Sequence, residues 1–138
     1  MIKRHEGLRL DVYQCSQNFH TVGYGHNLDA HDDPIPSEPI IMELAEEYFD
    51  KDLRDAIYDA GKLPVYFSLD EVRQCALIDL VFNMGVKSVF KFHKMLQYIA
   101  VSDYNNASIQ LLDSLYARQV GKRADEIAEM IRTGDWKE

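Results

Sequence analysis

Residues 5–26, HEGLRLDVYQCSQNFHTVGYGH, change character three times within 22 positions. Glu6 closes a short helix-forming run, and Gly7 follows it as a residue that tolerates the backbone of a helix end. Leu8, Leu10 and Val12 then alternate with Arg9, Asp11 and Tyr13, the period of a half-buried strand. A polar turn rich in Ser, Gln and Asn leads to a second strand at about Phe19–Tyr24, so the segment reads as a helix over 2–6 followed by an antiparallel hairpin. A thiol, Cys15, stands in the middle of that polar turn.

Downstream, the acidic linker DAHDDPIPSEP gives way to Ile41, Leu44, Ala45, Tyr48, Phe49, Leu53, Ala56, Ile57 and Ala60, which recur every three or four residues. The spacing predicts an amphipathic helix of about 20 residues, on the order of 30 Å long, stopped by Gly61 and Pro64. SLDE at 68–71 has the spacing of a capping box, with Ser68 bonding forward and Glu71 reaching back. The helix it opens, through Phe82 and ended by Gly85, is apolar on nearly every side and is read as a central core helix. Further helices are predicted around 89–99, 103–115 and 122–132, the last closed by Gly134. The class is α+β and mostly helical: a sheet-containing lobe over about 1–40, a connecting helix over 41–60 and a helical lobe over 61–138, all within one domain, 1–138.

Length and composition agree with a single globular domain. A chain of 138 residues, 46% apolar and 28% charged, folds without a metal or disulfide staple. Cys15 and Cys75 are read as free thiols of a reducing compartment. No Cys or His pair is read as having zinc-ligand spacing, and neither a metal nor a cofactor is expected. The net charge of −8 is carried by residues 1–60, with 5 Lys/Arg against 13 Asp/Glu, whereas residues 61–138 balance at 10 and 10. That distribution argues against a nucleic-acid groove and against a polybasic membrane surface. The N-terminus has no apolar export segment and no stretch is long enough to span a bilayer, so a cytoplasmic, monomeric protein without stable membrane association is expected.

Glu6, Cys15 and Thr21 follow the pattern E, eight residues, C, five residues, T. A carboxylic acid at a helix end facing a hairpin is suited to be a shielded general acid; the alternative is a surface Glu paired with a nearby Lys or Arg. HEGLRLDVY followed by TVGYGH resembles the catalytic segment of the phage-type lysozymes of glycoside hydrolase family 24, whose pattern is E, eight residues, D or sometimes C, five residues, T. The resemblance continues in AEEYFDKDL, in KLPVYFSLDEVRQCALIDLVFNMG and in KRADEIAEMIRTGDW. It implies a two-lobed lysozyme-like fold and hydrolysis of the β-1,4 bond between N-acetylmuramic acid and N-acetylglucosamine in peptidoglycan. Glu6 would be the general acid, and Cys15 and Thr21 would activate or position water. The outcome would be inversion.

Cys15 stands where most members carry aspartate. A thiol with a pKa near 8.5 is only about a few per cent ionised at neutral pH, so the work of a second carboxylate falls to a weaker group. The alternative is a chance thiol in a turn. By the same resemblance Arg123 would pair with the catalytic Glu, and His26 and Asp52 would tie the hairpin to the connecting helix. Phe82 would offer a flat surface to a sugar, or be plain core. Asn27, Met95 and Gln110 fall at further substrate positions, although their residue types depart from the commonest pattern. Tyr58, Tyr66, Phe67, Tyr98 and Tyr104 are read as packing. The resemblance further implies an endolysin that waits inside the host cell for holin-type release. Two rivals stand beside it: a lytic transglycosylase using Glu6 alone, and a non-catalytic wall- or partner-binding protein of lysozyme fold.

Overall fold

The computed structural model describes residues 1–15 and 19–136. The chain forms two compact units, Met1–Asp55 and Ala56–Glu138. The boundary falls inside the longest helix.

In the first unit a short helix α1 (Ile2–Glu6) precedes three strands, β1 (Arg9–Gln14), β2 (His20–Gly23) and β3 (His26–Asn27), followed by the start of α2 (Met42–Ala60). The strands form one antiparallel sheet in the order β1-β2-β3. The alternation in β1 turns Leu10 and Val12 inward, where they pack on buried Val22, Leu28, Ile40 and Ala45, with Leu44 and Tyr48 closing the cluster from α2. Leu8 lies before the strand and is exposed. The β1/β2 register shifts between Arg9 and Tyr13, an irregularity in the ladder. Lys3 joins α1 to α2 through an ion pair with Glu46 at 2.6 Å, and its ammonium lies over the rings of Tyr24 and Phe49. The third strand was not foreseen, because two residues carry no period to detect.

In the second unit α3 (Glu71–Met84) is the central helix. Its positions 76–81 are all buried, including Asp79. It is followed by α4 (Val86–Phe90), α5 (His93–Ala100), α6 (Tyr104–Leu112), α7 (Leu115–Val120) and α8 (Lys122–Thr133), of which α4 and α8 pack on it. α8 buries Ala124, Ile127, Ala128 and Ile131 at the spacing of one helical stripe, facing α3 and α6. Arg73 links α3 to the end of α8: its Nε donates to the Ile131 carbonyl at 2.7 Å, and its guanidinium stacks on Tyr104. Those carbonyls have no partner within their own helix, so Arg73 serves as a cap from a distant element. Gly134, at φ 72°, ends α8 in the left-handed conformation.

Three local expectations are corrected. The capping box does not form: residues 66–68 make a 3-10 turn in which the Ser68 hydroxyl donates back to the Val65 carbonyl at 2.8 Å. Leu69 is extended, the helix starts two residues later than the motif implies, and Asp70 is the N-cap, accepting from the Arg73 N–H at 3.1 Å. The helices predicted over 89–99 and 103–115 are each broken, at Lys91–Phe92 and at Asp113–Ser114, where the Ser114 hydroxyl caps α7 by accepting from the Ala117 N–H. Tyr66 is buried, but Tyr58 and Phe67 are 74% and 78% exposed and do not serve as packing.

Because Asp70 and not Ser68 caps α3, Asp70→Ala should lower unfolding stability by about 1 kcal/mol, and Ser68→Ala by less. Urea denaturation of the two variants checks the order; the capping box would give the reverse.

Candidate active site

The hairpin of the first unit brings Glu6, Cys15 and Thr21 onto neighbouring elements. Glu6 is the last residue of α1 and is half-buried. Its carboxylate rests against Gly25: a Cβ placed there would overlap Oε2 and stand 3.1 Å from Cδ. Gly25 also has φ 72°, so both space and backbone conformation require glycine beside this carboxylate. Cys15 follows β1, half-buried, and its N–H donates to the Phe19 carbonyl at 3.0 Å, extending the pairing of β1 and β2. Thr21 is 4% exposed in the middle of β2, and its hydroxyl donates to the same Phe19 carbonyl at 3.0 Å.

Tyr13 connects these groups. It sits opposite Thr21 in the β1/β2 register, and Arg9 stacks on its ring at 4.5 Å. Burial pushes the Tyr13 phenol above its ordinary pKa; Glu6 and Cys15 push the same way against the opposing effect of Arg9. Asn27 lies opposite Thr21 on the other side, in β3. Its side-chain oxygen accepts from the Ala30 N–H at 2.9 Å, so the carboxamide shapes the following turn and only its NH2 group remains to donate.

His26 is 1% exposed, with Nδ1 2.7 Å from Asp52 and Nε2 2.7 Å from Asp33. Both partners are carboxylates, so both ring nitrogens donate and the ring is an imidazolium. Tyr48 stacks on it with centroids 3.9 Å apart. Burial alone would lower the His26 pKa, but the hydrogen bonds and charges of Asp52 and Asp33 outweigh it and the net shift is upward. Among the sequence-based readings, Asp33 was passed over as linker. A Pro-flanked acidic run gives no signal that one carboxylate will turn inward.

The remaining candidates belong to the helical unit. Phe82, near the end of α3, is half-buried, and Gln110 on α6 is half-buried. Met95 is 1% exposed on the apolar face of α5, sealed in the core and unable to touch a substrate without repacking; the substrate expectation for it is corrected. Arg123, 8% exposed at the start of α8, donates from Nε to Asp79 at 2.8 Å. Asp79 is fully buried, so within this unit the arginine has a carboxylate partner that the sequence reading did not name. An Asp inside the run ALIDLVF looks like an interruption until its cation is seen. Cys75, also a free thiol, is on α3, and burial raises its pKa.

The His26 cluster predicts a pH dependence of folding. A raised folded pKa contributes stability that is fully present below the unfolded value of about 6.5 and is lost as pH rises through the folded value. Urea denaturation across that window should show stability falling with pH, and Asp33→Asn should move the fall to lower pH by removing one of the two anions.

Comparison with known families matches residues 3–129 to the phage lysozyme family. A probable T4-type lysozyme of Dictyostelium discoideum is 27% identical, over 97% of this chain and 92% of its own length. An endolysin of Acyrthosiphon pisum secondary endosymbiont phage 1 is 34% identical, over 89% and 80%. A pre-baseplate central spike protein of Enterobacteria phage T4 is 32% identical over 98% of this chain, which corresponds to 27% of that larger protein. Matched along most of its length, the chain belongs to the phage lysozyme family and is a glycoside hydrolase of the lysozyme class, with peptidoglycan as its substrate.

Proposed function

We propose that the chain is an endolysin-type muramidase that cleaves the β-1,4 bond between N-acetylmuramic acid and N-acetylglucosamine with inversion, using Glu6 as general acid and Cys15 and Thr21 to activate and hold the attacking water. The observation that carries this reading is the close seat of the Glu6 carboxylate on Gly25, in the turn after β2, the strand that Thr21 centres and whose hairpin with β1 Cys15 closes. A carboxylic acid so confined keeps one orientation, which general acid catalysis requires of its proton donor. Glu6 would protonate the glycosidic oxygen as the bond to the anomeric carbon breaks. Water would attack that carbon from the opposite face and lose its proton to the Cys15 thiolate or to solvent. Phe82 and Gln110 remain proposed sugar contacts, and Asn27 contributes its NH2 donors. Arg123, His26 and Asp52 act as supports. Asp79 holds the Arg123 guanidinium in place, so a supporting role for Arg123 rests on a pair rather than on a lone charge. Resemblance to endolysins supports action on the wall after release by a holin-type partner.

Lysis of permeabilised Gram-negative cells, followed by turbidity, should fall by about 10²-fold or more in Glu6→Gln. Cys15→Asp should be at least as active as the parent and Cys15→Ala much less so; full activity of Cys15→Ala would remove the thiol from the mechanism. New reducing muramic ends among the products distinguish hydrolysis from transglycosylation, which would yield 1,6-anhydromuramyl ends instead.

Gly25→Ala provides a separate check on the seat of Glu6. It should cost far more lytic activity than Gly7→Ala, which shares a positive φ of 69° but has open space around its Cβ position. Equal activity of the two variants would show that the contact with Gly25 does not matter to catalysis.

A further inference from the structure

His26 and His31 are separated by four residues, a spacing found in zinc sites that the sequence reading overlooked, and the fold adds Asp52 from α2. One ligand-capable atom from each of the three lies within 4.8 Å of the others. His31 Nδ1 is 2.8 Å from the Asn27 carbonyl, an acceptor only, so that nitrogen donates and Nε2 is left as the ring's ligand atom. Facing it at 3.6 Å is Asp52 Oδ1, a buried oxygen without a hydrogen-bond partner. Two atoms able to ligate a cation thus face each other across a gap too long for a hydrogen bond. A cation at about 2.0–2.1 Å from each would span that gap at an angle of about 120°, somewhat wider than tetrahedral.

We propose that His31, Asp52 and His26 form a binding site for a divalent transition-metal ion of the zinc type, with His31 Nε2 and Asp52 Oδ1 as its first two ligands. His26 Nδ1 completes the protein set when the ion displaces its proton, and water fills the open position. Each histidine already has the outer partner that metal-bound imidazoles use: Nε2 of His26 donates to Asp33, and Nδ1 of His31 donates to the Asn27 carbonyl. The two rings are stacked with centroids 4.6 Å apart and planes at 21°. One ring must pivot for a single ion to reach both, and His31 is the exposed one. Imidazole and carboxylate donors suit zinc, nickel or copper rather than calcium or magnesium. Bound there, the ion would fasten β3 and its following turn to α2, independently of any catalytic step.

The test uses the full chain made without a histidine tag, freed of metal by chelator and titrated with Zn²⁺ by calorimetry, with thermal midpoints recorded alongside. Co²⁺ as a second probe should give the visible absorption bands of a four-coordinate nitrogen- and oxygen-ligated ion. The parent should bind one ion and gain thermal stability. His31→Ala, a change at an exposed position, should weaken binding by about tenfold or more. His20→Ala, which removes a histidine paired with Asp29 elsewhere in the unit, should leave it unchanged. Failure of the parent to bind Zn²⁺ at millimolar concentration, or equal binding by the parent and His31→Ala, would overturn the proposal.

Discussion

A buried imidazolium held between two carboxylates organises the first unit of this protein. An isolated cation at 1% exposure is untenable, so His26 obliges both Asp52 on α2 and Asp33 in the loop after β3 to turn inward. Those two bonds fix where the third strand ends, how the acidic linker leaves the sheet and which face of α2 meets it. Tyr48 from the same helix covers the ring, and its neighbour Ala45 packs on Gly23 at the end of β2. The sheet that carries Cys15 and Thr21 and seats Glu6 is therefore anchored through a polar clamp as well as through the small apolar cluster around Val22.

The helical unit solves a similar problem with a different pair. Asp79 is fully buried in the centre of α3, and Arg123 enters from α8 to neutralise it. Removing either partner alone would strand a charge in the core, at a cost of about 3–5 kcal/mol, whereas replacing both with apolar residues need not destabilise. The pair thus specifies how α8 registers on α3 more than how strongly it adheres. In both units a buried charge is satisfied by a residue distant in sequence, 26 positions away for His26 and Asp52 and 44 for Asp79 and Arg123.

Legibility from sequence followed the range of the forces. α2 was read to within a residue, because nine apolar positions at helical spacing make a strong local signal. The β1–β2 hairpin and the stops at Gly85 and Gly134 were also visible in local chemistry. Ser68 misled: its motif is local, but the preceding Pro64 and buried Tyr66 draw it into a 3-10 turn, and the cap passes to Asp70. Met95 misled in another way, since a position inherited by resemblance says nothing of whether a side chain faces solvent. Asp33, Asp79 and the convergence of His31 on Asp52 could not be read, because each depends on contacts between elements rather than on the run of residues around it. The pattern of Glu6, Cys15 and Thr21 stands in the sequence, but spacing alone gives it no role, and only the family resemblance singles it out; the constraint that Gly25 sets on Glu6 emerges only in three dimensions.

The Thr21 hydroxyl gives the proposed water a direction. Its single proton is committed to the Phe19 carbonyl, so toward anything else the oxygen can only accept. A water held there must donate one of its own hydrogens to Thr21, which turns its oxygen lone pairs away from the strand. The polarity of one side-chain hydrogen bond would then determine which end of the nucleophile faces the sugar, and a residue at this position that left its hydroxyl free to rotate would lose that orientation while keeping the same shape.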